Sequence, residues 1–173
     1  MLAIGGGIAA YKSAFLCSRL VQNGHDVRVI MTKSATEFIG SATLTALSGK
    51  PVAVEVFDQA YPLGPHIELA GGNDLMIVAP ATANLLSKFA LGLADDLVST
   101  LYLQGGCPTL LAPAMSASMW SKPAVQRNVA RLREDGCHFV GPASGWLSCR
   151  VQGEGRMSEP QDILEAAEAL IGR

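Results

Sequence analysis

The residues of this chain best suited to chemistry fall in loops rather than in apolar runs. Gly5-Gly6-Gly7-Ile8-Ala9-Ala10-Tyr11-Lys12 joins a short apolar run to a helical pattern. Glycines let backbone N–H groups approach an anion, and a helix N-terminus adds partial positive charge. The dinucleotide spacing GxGxxG is incomplete, because Ala10 holds its last glycine position and no acidic residue ends the second apolar run. That run ends in Met31-Thr32-Lys33-Ser34, whose hydroxyls and cation suit a phosphate better than a ribose diol. The alternative for the loop taken alone is a tight glycine turn without a ligand.

Further loops add polar and nucleophilic groups. Ala79-Pro80-Ala81-Thr82-Ala83-Asn84 follows a later apolar run, with Thr82 placed either to cap a helix or, with Asn84, to contact a ligand. Pro113-Ala114-Met115-Ser116-Ala117-Ser118-Met119-Trp120 offers an apolar wall for a flat ring and a hydroxyl at Ser116. The same methionines and tryptophan would serve equally in a core. His66 opens His66-Ile67-Glu68-Leu69, just ahead of a short helical turn, from where it could reach a site. Imidazole titrates near neutral pH and suits a general base. Cys149 lies in residues 144–157, a stretch dense in glycine and arginine with no clear period. That stretch reads as a mobile flap with glycine hinges, of the kind that closes over an active site.

These loops need a frame to bring them together, and the rest of the chain supplies one. Apolar runs at 2–4, 26–31, 75–79, 109–112 and 138–140 read as strands buried on both faces of a parallel sheet. Helical patterns run through 9–23, 32–39, 41–48, 82–91, 95–103, 122–135 and 161–171, with Gly24 and Gly136 at C-terminal cap positions. Strands alternating with helices predict an α/β, doubly wound, Rossmann-like or flavodoxin-like open parallel sheet with helices on both faces. Ligands in such sheets bind beyond the carboxyl ends of the strands, which is where the loops fall. The final pattern runs out at Arg173, so a single domain over 1–173 is expected. The shortness of the first strand leaves open whether residues precede it.

Composition narrows the class. With 173 residues, 49% apolar and 16% charged, the chain can bury a sizeable core. A net charge of −2 without a basic run gives no attraction to nucleic acid or an anionic membrane. No apolar stretch has the length of a bilayer span, and a cytoplasmic location is expected. The four cysteines show no CxxC spacing, so neither a zinc site nor a redox pair is indicated, and free thiols are expected.

With these motifs assembled, the chain resembles the flavin-containing cysteine decarboxylases, most closely those that act on phosphopantothenoylcysteine. The likeness runs nearly end to end. It is carried by Gly6-Gly7-Ile8-Ala9-Ala10-Tyr11-Lys12, His66-Ile67-Glu68-Leu69, Ala79 to Asn84, Ala94-Asp95-Asp96-Leu97-Val98-Ser99-Thr100, Pro113 to Trp120 and Gly153-Glu154-Gly155-Arg156-Met157. The resemblance implies FMN as cofactor, held by Gly7, Ile8, Thr32, Ser34, Phe38, Ala79, Thr82, Asn84, Ala114 and Met115. It implies catalytic roles for His66 and Cys149, and substrate contacts from Ser116, Met119 and Arg156. It further implies a homotrimer or dodecamer with FMN at the subunit interface.

The implied reaction oxidises the cysteine CH₂–SH to a thioaldehyde, which provides an electron sink for loss of carbon dioxide. His66 would assist thiol deprotonation, and Cys149 would supply the proton that completes reduction of the ene-thiolate. The family motif Pro-x-Met-Asn-x-x-Met-Trp carries asparagine where this chain has Ser116, a shorter side chain with fewer donors. Rival readings are a peptidyl-cysteine decarboxylase, a non-catalytic FMN-binding regulatory protein and, last, a flavin prenyltransferase.

Overall fold

The computed structural model describes residues 1–172. Arg173, where the final helical pattern was expected to end, lies outside them. Five strands form one parallel sheet: β1 (Leu2–Ile4), β2 (Val29–Met31), β3 (Met76–Ala81), β4 (Thr109–Pro113) and β5 (His138–Phe139). Their spatial order is β2-β1-β3-β4-β5. Around them lie α1 (Ala10–Gln22), α2 (Ser41–Ser48), α3 (Pro65–Glu68), α4 (Ala83–Leu91), α5 (Leu97–Gln104), α6 (Ala117–Trp120), α7 (Pro123–Glu134) and α8 (Pro160–Ile171). This is the doubly wound, flavodoxin-like arrangement expected from the sequence.

Two cores show why the strands read as unbroken apolar runs. Leu2, Ile4, Val29, Met31, Ile77 and Leu110 face Leu16 and Leu20 of α1, Leu44 of α2 and Ile163 of α8. Ala3, Ile30, Met76, Val78 and Leu111 face the opposite way, onto Leu86 and Phe89 of α4, Leu101 of α5 and Leu132 of α7. Every position on a central strand is therefore covered by helix on one side or the other. The β3–β4 register shifts between Val78 and Ala81, so both residues point into the same core.

Three expectations require correction. Residues 32–39 form not an α-helix but a 3-10 turn, Lys33–Glu37, capped by the Thr32 hydroxyl. The loop after β4 contains a single helical turn, α6, too short to show a period. Residues 144–157 do not lack regular structure: most of them form an antiparallel hairpin of β6 (Ala143–Trp146) and β7 (Gln152–Arg156). Glycine is a poor strand former, so Gly145, Gly153 and Gly155 hid these strands. What holds them is packing. The backbone of Gly153 lies so close to Ala117 that an added β-carbon would meet its side chain at 2.8 Å.

Candidate active site

A cleft of about 580 Å³ opens at the carboxyl ends of β1, β3 and β4. It lies at the topological switch point, because β1 passes to β2 on one side while β3 passes to β4 on the other. Its volume falls in the range of small-molecule sites.

The first wall is the turn after β1. Gly6 backs so closely onto Ser34 that any β-carbon there would collide with the serine side chain. A β-carbon on Gly7, by contrast, would make only ordinary contact, with a Thr82 methyl at 3.7 Å. Ala9 begins α1 without a side-chain cap, and the first turn carries no acidic residue. The helix therefore presents its positive end to the cleft without a side-chain cap, while the Ala10, Tyr11 and Lys12 N–H groups donate to the carbonyls of Gly7, Ile8 and Ala9. Ser34 lines the cleft. Thr32 stands behind it, buried, with its Oγ1 3.1 Å from Ser34 Oγ.

The second wall comes from the turns after β3 and β4. Thr82 caps α4 by accepting from Leu85 N–H at 3.3 Å, and exposed Asn84 lines the cleft two residues on. Ala79 sits deeper and is fully buried; its carbonyl accepts the Ser13 hydroxyl at 2.6 Å. Ala114, Met115 and Met119 line the adjoining wall. Ser116 caps α6, accepting from Met119 N–H at 3.4 Å, with the Ser118 hydroxyl 3.1 Å away.

The hairpin forms the third wall. Trp146, Leu147, Ser148 and Cys149 line the cleft at its turn, and Gly155, Arg156 and Met157 line it at its base. Cys149 is an exposed free thiol. Arg150 beside it occupies the left-handed region at φ 63°, which turns the chain between the strands. At the base, Arg156 Nη2 donates to Glu159 Oε1 at 2.7 Å. Lys12, nearly buried in the cleft wall, donates to the same oxygen at 2.8 Å and to the Met157 carbonyl at 3.3 Å. The Lys12 hydrogen bond holds the Glu159 carboxyl below its ordinary pKa, against a smaller opposing effect of burial.

Most of the residues singled out from the sequence thus meet in one place. Gly7, Ile8, Ser34, Thr82, Asn84, Ala114, Met115, Ser116, Met119, Cys149 and Arg156 share the cleft. Thr32 and Ala79 support it from behind, and Phe38 is exposed beyond its lining. His66 is not among the lining residues of its own chain. It sits within α3 rather than ahead of it, on the chain crossing from β2 to β3, and α3 packs on α5. Its Nδ1 is buried and has no hydrogen-bond partner among the described residues. Sequence reasoning passed over Lys12 as a wall residue and Glu159 altogether. Lys12 closes the glycine motif without standing out in it, and a lone glutamate carries no motif; only their pairing across the fold marks them. Among the described residues no cluster of histidine, cysteine and carboxylate side chains could hold a metal ion.

A flavoprotein family profile matches residues 1–172. The coenzyme A biosynthesis bifunctional protein CoaBC of Bacillus subtilis is 45% identical over 169 residues, covering 97% of this chain and 42% of that protein. CoaBC of Mycobacterium bovis is 45% identical over 173 residues, covering all of this chain and 41% of the relative. The chain thus spans less than half the length of these curated relatives. Among solved structures, a cysteine-to-serine variant of PPC decarboxylase complexed with pantothenoylaminoethenethiol superposes with a TM-score of 0.88. It is 29% identical, covering 99% of this chain and 97% of the other. The FMN-dependent cysteine decarboxylase SpaF superposes with a TM-score of 0.81 at 32% identity, covering 96% and 95%.

Proposed function

The chain belongs to the flavoprotein family, and from that premise we propose that it binds FMN and decarboxylates phosphopantothenoylcysteine to phosphopantetheine in coenzyme A biosynthesis. One observation carries this reading. The carboxyl edge of the sheet brings an uncapped helix start, the Ser116 turn and the Cys149 hairpin into a single cleft. The names of the CoaBC relatives and of the PPC decarboxylase structure point to the same chemistry.

The cleft suits a flavin phosphate on its own features. The Gly6–Gly7 turn leads into the positive end of α1, and Ser34 and Thr82 add hydroxyls there. Ala114, Met115 and Met119 offer an apolar wall to a ring system. A flavin held there by Gly7, Ser34 and Thr82 would supply a reversible two-electron acceptor for oxidation of the substrate CH₂–SH to a thioaldehyde, the electron sink for loss of carbon dioxide.

The protein's own groups would then bind, orient and move protons. Arg156 and Ser116 face the cleft and would take the substrate's carboxylate, as a cation and a hydroxyl. The Ser116 hydroxyl already accepts a capping bond, and its one proton is available to substrate when Ser118 is the donor of the hydroxyl pair. Cys149, on the mouth of the cleft, would give its thiol proton to the carbon of the ene-thiolate as the electrons return. His66 would accept the substrate thiol proton across a subunit boundary, in a homotrimer or a dodecamer built from trimers. Its absence from the cleft of its own chain supports that placement. No helix among the described residues is long and apolar enough to cross a membrane. A cytoplasmic enzyme without nucleic-acid or membrane partners fits this reading.

The test is mass analysis of purified protein incubated with phosphopantothenoylcysteine. The expected result is yellow protein that converts the substrate to phosphopantetheine with loss of carbon dioxide. Protein that holds FMN but leaves this substrate intact would move the assignment to a cysteine-containing peptide or to a regulatory role. Colourless protein that takes up no FMN would overturn the reading.

A further inference from the structure

One carboxylate oxygen ties together two cations of the cleft wall, and it lies outside the cleft. Glu159 Oε1 accepts from Lys12 Nζ at 2.8 Å and from Arg156 Nη2 at 2.7 Å. The two cations come from distant elements, α1 and β7, and both line the cleft. The Lys12 side chain is only 8% exposed, so it is fixed by its surroundings, whereas those of Arg156 and Glu159 are 40% and 53% exposed. The arginine also lies across the hairpin: a β-carbon on Gly145 would meet its Cδ at 3.1 Å and Nη1 at 3.2 Å. The contacts thus run from the buried lysine through the glutamate to the arginine and the opposite hairpin strand.

We propose that Glu159 is a positioning residue: it anchors Arg156 to Lys12 and so sets both the aim of the guanidinium and the seating of the Cys149 hairpin. Two effects of removing it oppose each other. Loss of a negative charge would strengthen attraction of an anionic substrate, while loss of the anchor frees a long, half-exposed side chain to rotate. Arginine surrenders much rotamer entropy when it is held, and one aimed guanidinium makes paired, directional contacts to a carboxylate. The charge gain is diluted by solvent at such exposure. Orientation therefore dominates.

Glu159 has a second task that the experiment must separate. It stands at the cap of α8, where its backbone N–H donates to Asp162 Oδ2 at 3.3 Å. Glu159→Asp keeps the charge and the cap but withdraws the carboxylate by one carbon, out of reach of both cations at once. Three quantities are compared with the parent: hydrogen exchange of residues 144–157, thermal stability, and KM and kcat for phosphopantothenoylcysteine. The positioning role gives faster hairpin exchange, near-parent thermal stability and a KM about fivefold higher with kcat little changed, as befits a half-exposed ion pair. In an Arg156→Ala background the same substitution should add nothing further to KM.

The kinetic arm rests on the proposed decarboxylase function, while the exchange arm does not. If the parent fails to turn over the substrate, that functional reading falls, and the positioning role still stands or falls on hairpin exchange. Parent-like exchange in Glu159→Asp, or a KM effect that persists undiminished without Arg156, overturns it.

Discussion

Gly155 and Met115 are joined face to face: the Gly155 carbonyl accepts the Met115 N–H at 2.9 Å, and the Gly155 Cα backs directly onto the Met115 carbonyl. Gly155 holds φ at 131°, where L side chains are rarely found. This seam fastens the hairpin to the turn after β4 and so joins two walls of the cleft. A β-carbon at position 155 would strain the backbone and strike the Met115 carbonyl. Gly155→Ala is expected to cost about 2–4 kcal/mol of stability. Thermal denaturation reads the loss, and flavin should escape more readily from the folded fraction. A parent-like melting temperature would show that the seam yields.

The placement of His66 leads to a complementation test. His66→Asn should keep FMN yet fail to reduce it with substrate, and Cys149→Ser should stop at the ene-thiol product. If the site combines His66 from one copy with Cys149 from another, mixed oligomers of the two inactive variants will regain part of the activity. Both variants are co-expressed with different tags, purified as hybrids and assayed for phosphopantetheine. Hybrids as inactive as their parents would place the two residues in the same chain's site.

Ser116 is expected to limit the rate. Asparagine caps helices as well as serine does, so Ser116→Asn preserves the start of α6 while adding a longer amide donor. A recovered hydrogen bond to a charged carboxylate corresponds to about 1.5–3 kcal/mol, or roughly ten- to a hundredfold in kcat/KM. Steady-state kinetics on parent and variant decide the matter. Equal rates would mean that another group, Arg156 foremost, already supplies the contact.

The Asp96–Lys88 pair should set an acid limit on stability. Burial alone would raise the Asp96 pKa, but hydrogen bonds from Lys88 and Ser99 outweigh it and hold the carboxyl below its ordinary value. A carboxylate depressed in the folded state contributes stability above its unfolded pKa of about 4 and loses it as pH falls through the folded value. Asp96→Asn retains the cap of α5 and removes the charge at 2.6 Å from Lys88. The variant should be less stable than the parent by about 1–2 kcal/mol at pH 7, with the gap closing below about pH 4. Urea unfolding at both pH values measures it, and a gap that does not change with pH would exclude the ion pair as its source.

Much of this molecule is legible in its residues taken in order. Continuous apolar runs such as Met76 to Ala79 and Leu110 to Ala112 could only be strands covered on both sides, because every one of their side chains must find a core. The helix over Ser41–Ser48 follows from its own local pattern, and the loops at the carboxyl edge follow from strand–helix alternation. Nine of the proposed site residues meet in the cleft for that reason, all but Cys149 and Arg156 of the eleven found there. What the sequence could not decide is whatever depends on contacts between distant segments. The hairpin has glycine-rich strands with no pattern of their own, and its order comes from Met115 and Ala117 packing beneath it. His66 stands near a helical turn in the sequence, yet the crossing from β2 to β3 carries it away from its own cleft. Lys12 and Glu159 are 147 positions apart, and nothing local pairs them; only the fold sets them 2.8 Å from each other. Local pattern determines where an element forms, because a short segment must bury its own side chains; pairing across the chain is set only once those elements pack.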